Sequence, residues 1–142
     1  MIDNLFVSGS KESSNNILRA WNMDLDGNVS EEEWSEVCSL VKKQSVNTHS
    51  ILLQYKWLSR QYITPVKLRP FNPNIPDTCF KCSQQKGSLF HCMWSCPQVA
   101  RFWRGVLNVI GRIIGKVMPT DPKLCILNIY PNNFVMTKDK KL

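Results

Sequence analysis

Apolar residues return at helical intervals in three stretches of this chain. Trp34, Val37, Cys38 and Val41 recur at i, i+3, i+4 and i+7, which is one face of a helix that Ser30 caps and Glu33 closes as a capping box. Glu31, Glu32 and Glu33 at its start and Lys42 and Lys43 at its end complement the helix dipole. A second helix is predicted from Asn47 or Thr48 through Tyr62, with Ile51, Leu52, Tyr55, Leu58 and Tyr62 facing inward and Lys56 and Arg60 together on another face. Thr64 as N-cap and Pro65 at the first helical position open a short third helix. The longest pattern follows Pro97. Val99, Phe102, Trp103, Val106, Val109, Ile110, Ile113 and Ile114 form a wide apolar face ending near Gly115, and this helix is expected to be the main one of the core.

Around these stretches the chain divides by composition. Residues 1–15 are rich in Ser and Asn and read as a poorly ordered lead-in, residues 16–70 as a helical region, and residues 71–78, with two prolines directly after Pro70, as a stiff connection. Residues 79–96 hold four of the six cysteines and one of the two histidines, residues 97–116 carry the long helix, and residues 117–142 read as a loop and basic tail. The fold class expected is mainly α: a small helical domain with an inserted CCHC zinc knuckle. Asp24, Asp26, Asn28 and Ser30 invite comparison with a calcium loop, but Val29 stands where the turn glycine belongs and Ser35 where the bidentate Glu belongs. A turn leading into the helix is the better reading.

Charge changes the picture by where it lies. The net charge is +7, yet residues 1–41 carry two basic residues against eight acids, whereas residues 42–104 carry ten against Asp77 alone. A basic region that coincides with the cysteines points to a polyanion, most naturally nucleic acid. The first residues lack the pattern of a secretory signal, and no apolar run is long enough to span a membrane. A cytoplasmic or nuclear setting with reduced thiols is expected, where clustered cysteines serve as metal ligands more often than as disulfides.

The cysteines have metal-site spacing. Cys79, Cys82, His91 and Cys96 give C-x2-C-x8-H-x4-C, two close pairs joined by a loop long enough to fold one onto the other and fill a tetrahedral Zn2+ site. Cys92 offers a second assignment, C-x2-C-x9-C-x3-C. On an unbroken helix positions 92 and 96 share a face while 91 and 96 lie about 140° apart. Pro97 opposes that helix, so the segment should tighten or end there and let His91 converge with Cys96. Cys38 reads as a core thiol and His49 as a surface or capping residue.

The runs TCFKC and GSLFHCMWSCP, with FW a few residues on, and the flanks QYITPVKLRPFNPNIPDTC and DPKLCILNIYP, resemble the cysteine-rich C-terminal segment of LINE-type (non-LTR) retrotransposon reverse transcriptases over residues 16–135. The resemblance implies a detached piece of a polyprotein that helps hold template RNA or target DNA. Neither catalytic domain of that family is present: the chain has no Asp-Asp pair in a hydrophobic hairpin for two-metal chemistry. The expectation is a non-enzyme that binds RNA or single-stranded DNA with low sequence specificity. Lys56, Arg60, Lys67, Arg69, Lys81, Lys86, Arg101 and Arg104 would contact phosphates. Phe80, Phe90 and Trp94 are candidates for stacking on bases, with Phe90 and Trp94 favoured as core. The alternatives are a zinc-stapled interaction module that docks on other domains of the polyprotein, or a genomic relic without independent nucleic-acid binding.

Overall fold

A computed structural model describes residues 11–27 and 29–134, so residues 1–10 of the expected lead-in, Asn28 of the rejected calcium pattern and residues 135–142 of the expected tail lie outside it. The described chain is mainly helical: α1 (Lys11–Asp24), α2 (Glu31–Gln44), α3 (Thr48–Leu58), α4 (Pro65–Leu68), a π-helical turn (His91–Ser95), α5 (Pro97–Ile114) and α6 (Pro122–Leu127). Extended pairing among these residues is confined to one bridge, Thr78 with Lys86. Among the described residues no helix is long and apolar enough to cross a membrane.

Helix α1 corrects the expected lead-in, since helix begins at Lys11 within it. Leu18, Trp21 and Leu25 lie at near-helical spacing, and all three are buried. Trp21 is fully enclosed, and its indole Nε1 donates to the Leu58 carbonyl at 2.9 Å. The following turn is tied by Asn22, whose side chain accepts from Val29 N at 2.9 Å and donates to Val29 O at 3.1 Å. Helix α2 starts as expected: Ser30 Oγ accepts from Glu33 N, and a Glu33 carboxylate oxygen accepts from Ser30 N. Trp34, Val37 and Val41 are buried on one face. Cys38 lies beside them, half-buried against the core, where burial pushes its thiol up to about 11.

Two helices depart from their periodicity. Helix α3 ends at Leu58 instead of Tyr62, and Leu52 is exposed. The stop is a Schellman-type closure: Gln61 N donates to Lys56 O and Arg60 N to Trp57 O, with Arg60 left-handed at φ 58° in the position that glycine usually takes. Helix α5 is amphipathic as expected but is not the main core helix. Leu107 is its one buried residue, and Phe102, Val109 and Ile113 are 63%, 48% and 79% exposed. The core is instead built by α1 and α2 with Leu58, Leu89, Ile126 and Leu127, so the short helix α6 returns to cover what α5 does not. Trp57 Nε1 donates to Ile126 O at 3.2 Å and ties that return down.

Candidate metal centre

The first ligand pair sits in a tight loop. Cys79 N donates to Gln85 O at 2.7 Å, Ser83 N to Cys79 O at 2.8 Å and Gly87 N to Asp77 O at 2.7 Å, so the chain reverses within a few residues and brings both sulfurs to one side. Ser83 takes the left-handed conformation at the tip. Backbone N–H groups then point at the sulfurs. At Cys79, burial works to raise the thiol, but N–H groups of Cys82 and Lys81 and contacts with the Cys96 and Cys82 thiols outweigh it, bringing it down to about 7. N–H groups of Gln84 and Gln85 hold the Cys82 thiol below its ordinary value. Such donors favour the thiolate, which is the form that ligates.

The loop is pressed onto α4 at Gly87. A Cβ there would stand 2.6 Å from Pro65 Cγ, so the close approach requires glycine. Leu89 enters the core, and Phe90, Met93 and Trp94 pack against it. Trp94 and Phe90 are therefore core-side aromatics as favoured from sequence, whereas Phe80 is 66% exposed.

The second pair converges through a widened turn. From His91 to Ser95 the chain is π-helical, closed by Cys96 N donating to His91 O at 2.9 Å. This i→i+5 bond brings residues five apart onto one side, which an α-helix does not. The segment thus loosens where tightening was expected. The expected role of Pro97 holds: Cys96 is extended at φ −63° and ψ 130°, and Pro97 opens α5. Carbonyls left over by the turn are taken by side chains. Lys81 Nζ donates to Cys92 O at 3.0 Å and Trp103 Nε1 to Met93 O at 2.8 Å.

These elements bring Cys79, Cys82, His91 and Cys96 together, with their ligand atoms all within 4.8 Å of one another. Cys79 Sγ and Cys96 Sγ are 3.9 Å apart and Cys82 Sγ and His91 Nε2 3.3 Å. A zinc tetrahedron with Zn–S near 2.3 Å has S–S edges of about 3.8 Å. Three of the four residues are buried. The donor set is soft and closed, which fits a structural ion and leaves no position for substrate. His91 Nδ1 lies 3.2 Å from Ser95 Oγ. With Nε2 on a metal, Nδ1–H donates to that hydroxyl and fixes the ring. Ser88 Oγ holds the turn by accepting from His91 N at 3.2 Å. Neither serine stands out in the sequence, although Ser95 lies one helical turn after His91 and so shares its side. Cys92 lies outside the set of four. It is half-buried, and burial, followed by the charge and thiol of Cys79, pushes its thiol up to about 11.

The eight basic residues separate. Lys56, Arg69, Arg101 and Arg104 are exposed, and no described acid lies within ion-pair distance of them. Lys81, Lys86 and Lys67 are exposed but engaged: Lys81 at Cys92 O, Lys86 with Asp77 at 3.9 Å, and Lys67 donating to the Arg60 and Tyr62 carbonyls. Burial, with the Arg60 charge second, lowers the Lys67 ammonium from its ordinary value. Arg60 leaves the set. Its Nη2 meets Asp24 Oδ2 at 2.5 Å and its Cζ stands 4.4 Å above the Trp21 ring, so it buttresses α1 instead of facing solvent beside Lys56. This ion pair links the acidic and basic regions of the chain, while Glu31, Glu32 and Glu36 stay exposed. No family model matches this chain.

Proposed function

We propose that this protein is a non-catalytic, zinc-stapled helical module that holds the backbone of RNA or single-stranded DNA with low sequence specificity, and that it derives from the C-terminal segment of a LINE-type retrotransposon polyprotein. The observation that carries the reading is the Cys79, Cys82, His91 and Cys96 cluster, whose donors fit Zn2+ and exclude an open coordination position. Positive charge follows the same stretch of chain. Arg69 lies on the segment that enters it, Lys86 on its loop, and Arg101 and Arg104 on the helix that leaves it. Point contacts to phosphate give affinity without base readout, and binding to a single strand weakens with salt by a log–log slope of about −0.7 per contact. The test is retardation of a single-stranded RNA by the zinc-loaded protein across a salt series. Binding at low salt that fades steeply, and is weakened by Arg101→Ala with Arg104→Ala, is expected; no retardation at low salt sinks the nucleic-acid half.

One observation favours a second reading, a zinc-stapled interaction module. Phe102, Val109 and Ile113 form a stripe on α5 that nothing described covers. Contiguous exposed apolar surface of this kind marks a docking face. A protein that self-associates at micromolar concentration, and becomes monomeric on Phe102→Lys, supports this reading; a wild-type monomer that retards RNA supports the first.

A further inference from the structure

The turn from His91 to Ser95 presents a histidine and a cysteine side by side, and only one is in the ligand set. His91 and Cys96 converge because the turn is π-helical, with Cys96 N bonded to His91 O. In α-helical register that N–H would pair instead with Cys92 O, and positions 92 and 96 would share a face about 40° apart. One further contact shows that the alternative is close. The carbonyl that α register would use is already engaged by one side chain, since Lys81 Nζ donates to Cys92 O at 3.0 Å. Lys81 itself lies between the two cysteines of the first pair, so loop and turn are latched to each other.

We propose that Cys92 is a reserve metal ligand, and that a one-residue change of register, from π to α, exchanges His91 for Cys92 and converts a centre of three cysteines and one histidine into a four-cysteine centre. Lys81 is the positioning residue that holds the histidine register. The exchange leaves the metal in place, and with a divalent ion it takes the centre from a net charge of −1 to −2 by adding one thiolate. The proton of the Cys92 thiol leaves to solvent as the thiolate binds, and imidazole departs neutral. The inference rests on the metal-binding reading above.

The experiment uses the full chain loaded with Co2+ as a spectroscopic stand-in for Zn2+. Wild-type protein should show the spectrum of three thiolates and one imidazole. His91→Ala should keep one metal per chain and its fold, with thiolate charge-transfer intensity rising in the ratio of four thiolates to three. Cys92→Ala alone should leave the wild-type spectrum unchanged, and the double variant should lose stoichiometric metal. Lys81→Met, with both ligands present, should shift the wild-type spectrum toward that of His91→Ala. The proposal is overturned if His91→Ala loses metal or unfolds as the double variant does, or keeps metal with only three thiolates. Absence of metal from the wild type would instead remove the metal-binding reading itself, so the two failures are distinct.

Discussion

The two ends of the described chain are held together by different physics. From α1 to α3, stability comes from apolar burial: Trp21, Leu25, Val29, Trp34, Val37 and Val41 are all enclosed. From Cys79 to Ile114 the buried apolar side chains are Leu89 and Leu107, the latter the one residue that the longest helix buries, and the other buried side chains are the ligands Cys79, His91 and Cys96. A segment that buries so little apolar surface needs another source of stability, and small modules commonly find it in a metal. The difference teaches that amphipathicity and burial are separate quantities. Helix α5 has the widest apolar face and buries one residue of it.

Removing the metal should break this contrast most visibly. On the proposed function, chelation is expected to unfold residues 79–114 while α1 and α2 keep much of their protection, because a structural zinc site in a small module contributes on the order of 10 kcal/mol. Hydrogen exchange with and without chelator reads the two regions separately; uniform protection loss would show that they share one cooperative unit. The converse is Trp21→Ala. It leaves a large cavity and an unsatisfied Leu58 carbonyl, and should cost about 3–5 kcal/mol in denaturant titration while leaving metal stoichiometry intact.

Gly87→Ala probes the seam between the regions. The new methyl meets the rigid Pro65 ring, and a loss of about 1–3 kcal/mol is expected, recovered in part by Pro65→Ala, where the ring is gone. The smallest effect concerns Cys38. Burial pushes its thiol from the ordinary value of 9.0 up to about 11, so the folded chain holds this proton where the unfolded chain has released it. The contribution is fully present below the ordinary value of 9.0 and is lost as pH rises through about 11. Denaturant midpoints at neutral and alkaline pH should show a smaller alkaline loss in Cys38→Ala than in the wild type.

Much of the local structure was legible in the residues. The capping box at Ser30 and Glu33, proline at the first position of α4 and α5, and the four ligand residues all depend on interactions within a few positions. Helix α1 was legible too, through Leu18, Trp21 and Leu25, but its Ser- and Asn-rich start concealed it. Other features had no local signal. Arg60 follows Lys56 at helical spacing and so reads as a surface cation, yet α3 stops short of it and a left-handed turn sends its side chain to Asp24. The choice between His91 and Cys92, which periodicity left open, did have a local signal in Pro97, and an i→i+5 hydrogen bond within the same turn carries it out.

By itself, then, the sequence determined where α2, α4 and α5 start and which side chains are able to ligate, because caps, prolines and close cysteine pairs act over the span of one turn. Tertiary structure alone decided which apolar face becomes core and which cation becomes a buttress. Those outcomes depend on contacts between residues far apart in the chain, such as Trp21 with Leu58 and Trp57 with Ile126. An apolar stripe records that a helix has a face to cover, and only the packing of its neighbours determines whether it is covered.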